Sequence, residues 1–119
     1  MKLAIIVPYR NRQKYADIFL DLYPKYLYNN NIFDYKIYIA EQTDSYQFNS
    51  AISRNVGAKY ALSKNDYDYL IFNDIDIIPV SGVDLSYNEE VIAYMMNGGG
   101  LKIPTKTFLK VKGYSSFYN

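Results

Sequence analysis

The sequence predicts an α/β domain in which a mostly parallel sheet is flanked by helices, and three observations carry that prediction. Short apolar runs alternate with stretches of helical periodicity in the order strand, helix, strand, helix, strand, the pattern of βαβ units. Two of the runs, Leu3-Ala-Ile-Ile-Val7 and Tyr69-Leu-Ile-Phe72, are apolar throughout, as strands covered on both faces are. The 119 residues, half of them hydrophobic and 21% charged, match one small packed core rather than a disordered chain. A single domain over residues 1–119 is therefore expected.

Each element has its own signal. Leu3 to Val7 is the first, buried strand. From Arg10 to Tyr28, the residues Tyr15, Ile18, Phe19, Leu22 and Tyr26 recur at helical spacing, which predicts a helix that Pro24 kinks or divides. Asn29-Asn-Asn31 ends it. Tyr35 to Ala40 is β-branched and aromatic, a second strand. Phe48, Ala51, Ile52 and Val56 mark a second helix, running to about Ser63 before the polar stretch Lys64-Asn-Asp66. Tyr69 to Phe72 is the third strand. Beyond Pro79 the pattern weakens to a helix from Asn88 to Met96, a break at Asn97-Gly-Gly-Gly100, and a helix opened by Pro104 and closed at Gly113. Lys102, Lys106 and Lys110 recur every four residues and are expected on a solvated basic face.

Composition narrows the chemistry. A formal net charge of +1 provides no field for nucleic acid, so none is expected as a partner. With no cysteine and no histidine, neither thiolate nor imidazole serves as nucleophile, base or metal ligand within these residues, leaving Asp, Glu, Lys and Tyr. The apolar run Leu3–Val7 is far shorter than the ~20 residues that cross a bilayer and lacks a cleavage region. The expectation is a soluble chain without signal peptide or membrane anchor, cytoplasmic by default.

The third strand ends in Asn73-Asp-Ile-Asp76. Alternation points Asp74 and Asp76 to the same side at the strand's carboxyl end, where two hard oxygen ligands suit a divalent cation, and the cation a diphosphate. In a β-α-β-α-β half-sheet ligands bind outside the carboxyl ends of the strands. Three loops are thus expected around one crevice: Pro8-Tyr-Arg-Asn-Arg12, Glu41-Gln-Thr-Asp44, and Asp74-Ile-Asp76. The arginines suit phosphate oxygens and the acids a metal. No G-x-x-x-x-G-K-[ST] motif is present, which disfavours P-loop chemistry.

Several motifs together resemble the β-1,4-galactosyltransferase family. They are Ile5-Ile-Val-Pro-Tyr-Arg-Asn-Arg12, Tyr35-Lys-Ile-Tyr-Ile-Ala-Glu-Gln42, Phe48-Asn49, Asn55-Val-Gly57, Tyr67-Asp-Tyr69 and Phe72-Asn-Asp-Ile-Asp-Ile-Ile-Pro79, in the family's order and near its spacing. Gly98-Gly99, Phe108-Leu109 and Gly113-Tyr114 extend the likeness, which is weakest between Ser81 and Asn97. The resemblance implies a GT-A fold, Rossmann-like and incomplete at its C-terminal end, with a UDP-sugar donor, a carbohydrate or glycoprotein acceptor, and Mn²⁺ or another divalent cation. Carried over by position, Pro8, Tyr9, Arg10 and Arg12 line the nucleotide site, Phe48 contacts the uridine, and Asp76 ligates the metal with Asp74 beside it. Ile75 falls with the donor-binding residues, and Gly98 and Gly99 border the sugar or acceptor.

The departures from the family pattern are equally specific. Ser50 stands where a basic residue follows the Phe-Asn pair, and Arg54 lies one helical turn later. The family's Trp-Gly-Gly-Glu-Asp-like segment, which supplies acceptor contacts and the base, and its histidine metal ligand do not occur in the 119 residues, so the catalytic base is unassigned, with Glu41, Asp44 or a partner chain as sources. Three functional readings follow: a hexosyltransferase using a UDP-sugar, a non-catalytic nucleotide- or glycan-binding relative of that lineage, and a nucleotidyltransferase sharing the same strand and D-x-D logic.

Overall fold

The computed structural model describes residues 1–43, 47–79, 83–95 and 99–112. The expected β-α-β-α-β half is present, with small changes of boundary. β1 (Leu3–Tyr9) leads through α1 (Gln13–Asn29) to β2 (Tyr35–Glu41), and through α2 (Ser50–Lys64) to β3 (Tyr69–Asn73). The chain continues with β4 (Ile92–Met95), β5 (Gly100–Pro104) and α3 (Thr105–Lys110). All five strands share one sheet in the order β2-β1-β3-β5-β4. β1 runs parallel to both β2 and β3, in registers that set Ile5 against Ile37 on one side and Ile71 on the other. The carboxyl ends of these three strands therefore lie along one edge of the sheet.

Helices cover β1 on both faces, which is why all seven of its residues are buried. Leu3, Ile5, Val7 and Tyr9 belong to the layer formed with Phe19, Tyr23 and Leu27 of α1. Ala4 and Ile6 belong to the opposite layer with Ala58 and Ala61 of α2, which Phe108 of α3 joins. Each fully buried Leu, Ile or Phe side chain contributes roughly 1.5–3 kcal/mol relative to exposure, so these two layers dominate the stability. The helix layer over Ala4 and Ile6 is thin because α2 buries Ala51, Ser53, Gly57, Ala58 and Ala61, all small.

Five expectations need correction. Helix α1 continues unbroken through Pro24, which removes one backbone donor while buried Tyr23 and Leu27 hold the helix on the sheet to either side of it. Its buried stripe is Ala16, Phe19, Tyr23 and Leu27, whereas Tyr15, Ile18 and Leu22 are more than 40% exposed. Large apolar residues lie on both faces of this helix, so their spacing alone does not say which face is buried. The segment expected as a helix from Asn88 to Met96 holds β4 instead, paired antiparallel with β5, and β5 is antiparallel to β3. Four of the five strands still point the same way, and only β5 is reversed, as the mostly parallel sheet requires. Of the last expected helix only α3 forms, preceded by Pro104 at its N-cap; Gly113 lies outside the described residues.

Lys102 is the fifth. It sits in β5 with 1% of its surface exposed, and its Nζ donates to the Asp84 carbonyl at 2.7 Å and the Ser86 carbonyl at 2.6 Å. Burial lowers its pKa and Asp84 opposes that shift. The solvated basic face consists of Lys106, which pairs with Glu89, and Lys110. No helix among the described residues is long and apolar enough to cross a membrane.

Candidate functional site

Three loops deliver side chains to the edge where β1 and β3 end. After β1 the chain turns through Asn11 at φ 49°, a left-handed conformation that asparagine tolerates better than most residues. That turn sets Arg12 at the N-cap of α1, where its carbonyl accepts from the Ala16 N–H at 2.9 Å and its guanidinium rests over the Tyr15 ring at 5.5 Å. After β3 the Asp74 N–H donates to the Gly99 carbonyl at 3.0 Å, and the Ile77 N–H donates back to the Asp74 carbonyl at 3.1 Å. The second bond closes a tight turn that carries Ile75 and Asp76.

The entry to α2 is fixed by two side-chain amides. Asn49 is the N-cap, and its Oδ1 accepts from the Ile52 N–H at 3.0 Å. Gln42 accepts from the Asn49 N–H at 2.9 Å and donates to the Gln47 carbonyl at 3.1 Å, so Phe48 is held between two anchored neighbours. Such a cap stabilises a helix by about 1 kcal/mol. It explains why Asn follows Phe48.

These loops enclose a cleft of about 370 Å³, within the size range of small-molecule sites. Pro8, Arg10 and Arg12 line it from the end of β1, Phe48, Ser50 and Arg54 from the start of α2, and Asp74, Ile75 and Asp76 from the end of β3. Arg54 donates from Nη2 to Asp74 Oδ1 at 2.9 Å, with only 11% of its side chain exposed. Burial nevertheless raises the Asp74 carboxyl above its ordinary value; Arg54 pulls it down and Asp76 adds a smaller upward push. Three guanidiniums and two carboxylates give the cleft a formal charge of +1.

Most of the residues singled out in the sequence meet here, but not all. Tyr9 turns into the core layer beneath α1, and only its carbonyl reaches the loops, accepting from the Gln42 N–H at 3.0 Å. Gly99 is buried and takes part through its backbone, holding Asp74. Gly98 and Asp44 lie outside the described residues. The loop after β2 reaches this cleft only through Phe48: Glu41, Gln42 and Thr43 line a neighbouring groove between β2 and α2, which Phe48 also borders. Arg54 was not among the expected site residues. Its signal was available, since one helical turn brings residue 54 over residue 50, where the family pattern holds a base.

Among the described residues no three His, Cys, Asp or Glu side chains gather as a metal-holding group, so Asp74 and Asp76 are the donors at hand. Two carboxylates fit a hard divalent cation that keeps water and substrate phosphate in its other positions. The raised Asp74 carboxyl agrees with that fit, because a half-buried carboxylate still short of positive charge beside Arg54 is one a cation would stabilise.

Residues 1–88 match the family described as the N-terminal region of glycosyl transferase group 7. β-1,4-galactosyltransferase 4 of Mus musculus is 31% identical over 134 residues, covering 98% of this chain and 38% of the relative. Xylosylprotein 4-beta-galactosyltransferase of Caenorhabditis elegans is 32% identical over 132 residues, covering 98% and 45%. The chain thus spans less than half the length of these relatives. The catalytic domain of Drosophila β1,4-galactosyltransferase 7, solved in complex with xylobiose, superposes with a TM-score of 0.80 at 25% identity, over 96% of this chain and 53% of that one. A mutant of that enzyme in complex with manganese, UDP-Gal and xylobiose gives 0.76 at 25% identity, over 94% and 52%. With its GT-A fold and the match over residues 1–88, the chain belongs to glycosyl transferase group 7, the family of the β-1,4-galactosyltransferases.

Proposed function

We propose that these residues form the donor-binding half of a glycosyltransferase that takes a UDP-sugar with a divalent cation, Mn²⁺ by preference, and passes a galactose-like hexose to a glycan or protein-linked acceptor. The observation that carries this reading is the convergence of Arg10, Arg12 and Arg54 with Asp74 and Asp76 in one cleft at the carboxyl edge of the parallel strands. The Drosophila neighbour solved with manganese, UDP-Gal and xylobiose supports the same assignment.

In this reading Asp76 and Asp74 hold the cation, and Phe48 with Pro8 and Ile75 forms the apolar wall for the nucleobase and ribose. Glycosyl transfer breaks the bond between the anomeric carbon and the diphosphate oxygen, so negative charge grows on the leaving UDP. Arg10, Arg12 and Arg54 meet that charge with fixed donors in a partly dehydrated cleft. The cation, when bound, neutralises the rest. Arg54 has a second task, because its bond to Asp74 keeps both groups oriented before the ligand arrives.

Competition binding separates this from nucleotidyl transfer, which shares the D-x-D logic. UDP and UDP-galactose are expected to displace a fluorescent UDP probe in the presence of Mn²⁺ at least as well as UTP does. Clear preference for UTP would overturn the glycosyltransferase reading.

A further inference from the structure

We propose that Asn73 and Tyr94 are positioning residues that lock the Asp74–Asp76 turn into its cation-holding shape, with Gly100 as the gap that lets them meet. The inference rests on the cation role just proposed for that turn. Asn73 is the last residue of β3 and is fully buried, an unusual place for an amide unless every polar atom is satisfied. Its Nδ2 donates to the Asp74 carbonyl at 2.9 Å and to the Ile77 carbonyl at 2.8 Å, tying together both ends of the turn. Its Oδ1 accepts from the Tyr94 hydroxyl at 2.5 Å, which fixes the orientation of the amide.

Tyr94 lies on β4, and β5 separates β4 from β3. Gly100 is the β5 residue paired with Asn73 on one side and with Met95, next to Tyr94, on the other. A Cβ at Gly100 would fall 2.2 Å from Tyr94 Cε2, so the tyrosine ring reaches Asn73 across the space that a side chain at 100 would fill. An edge strand is thereby connected to the two acids through neutral groups only. Neutrality matters, since an Asp at position 73 would face two carbonyl oxygens and add a third negative charge. Residues behind metal ligands that set their orientation typically change metal affinity about 10- to 100-fold when altered.

The test measures UDP affinity with and without Mn²⁺ in the unaltered chain, in Tyr94→Phe and in Gly100→Ala. The positioning role predicts that both variants lose about tenfold of the Mn²⁺-dependent gain in affinity, while uridine binding without metal is unchanged. Tyr94→Phe keeps the ring and its packing, so it retains the fold even if Gly100→Ala does not. A Tyr94→Phe protein with the full Mn²⁺-dependent gain, whatever its melting temperature, would overturn the positioning role and leave the cation reading standing. No Mn²⁺-dependent gain in the unaltered chain would overturn the cation reading, and with it this inference.

Discussion

Gly57→Ala sets two opposing effects against each other, and the structure decides between them. On helix propensity alone the substitution stabilises α2 by about 1 kcal/mol. The added methyl, however, would stand 2.7 Å from Ile6 Cγ2 and 3.0 Å from the Ala40 Cβ, the first closer than side chains approach. Ile6 is fully buried in β1, so it has no free space to swing into. Relief requires α2 to lift from the sheet, and overpacking of this kind costs about 1–3 kcal/mol. The net expectation is a destabilisation of about 1 kcal/mol. With a urea dependence of about 2 kcal/mol/M, the unfolding midpoint should fall by about 0.5 M. Lys59→Ala, exposed on the same helix, is the control and should stay within about 0.5 kcal/mol. Lifting α2 also draws Arg54 away from Asp74, so UDP affinity should fall with stability. A Gly57→Ala protein as stable as the parent, or more so, would refute the close packing of α2 on β1 as the reason for glycine.

Further outcomes follow from the same contacts. Lys102→Met keeps the volume but strips two partly buried carbonyls of their donor, and should cost about 1–2 kcal/mol in urea unfolding; an unchanged midpoint would show that the Asp84 and Ser86 carbonyls find water at no cost. Burial, with a smaller push from Asp84, raises Tyr69 from 10.0 to about 12. The folded state then keeps a proton that the unfolded chain releases, so stability is intact below pH 10 and declines as pH rises toward about 12. Tyr69→Phe should flatten that alkaline decline in a pH series of thermal melts, and an equally steep decline would place its origin elsewhere. Arg10→Ala should weaken UDP more than uridine in calorimetric titration, because its proposed partner is phosphate. Equal losses would remove Arg10 from the diphosphate.

The first half of the chain was legible because its signals are local and agree with one another. Continuous apolar runs announced β1 and β3, and their placement alone brought Arg10, Arg12, Asp74 and Asp76 to one edge. After Pro79 the governing interactions are long-range. β5 was hidden because it is only five residues long and Lys102 breaks its apolar run, and that lysine is tolerated where the Asp84 and Ser86 carbonyls receive it. β4 read as helix because Ile92-Ala-Tyr-Met95 is short and is made a strand by pairing with β5. Tyr9 is a similar case. Its motif position pointed to the nucleotide, whereas strand alternation, which was equally visible, assigns it with Leu3, Ile5 and Val7 to the core. The Arg54–Asp74 pair required the seating of α2 on β1 and β2, which Gly57 permits against Ile6 and Ala40 and no periodicity reveals.

The central claim is that Asp74 and Asp76 hold a cation that holds a nucleoside diphosphate. Calorimetric titration of the chain with UDP, with and without Mn²⁺, beside Asp76→Asn tests it most directly. Asp76 is exposed, so the substitution should leave the fold unchanged while removing a charged ligand. The account predicts UDP binding that strengthens with Mn²⁺ in the parent and loses that gain in Asp76→Asn. Binding that is equally strong with and without Mn²⁺, or that survives intact in the mutant, would contradict it.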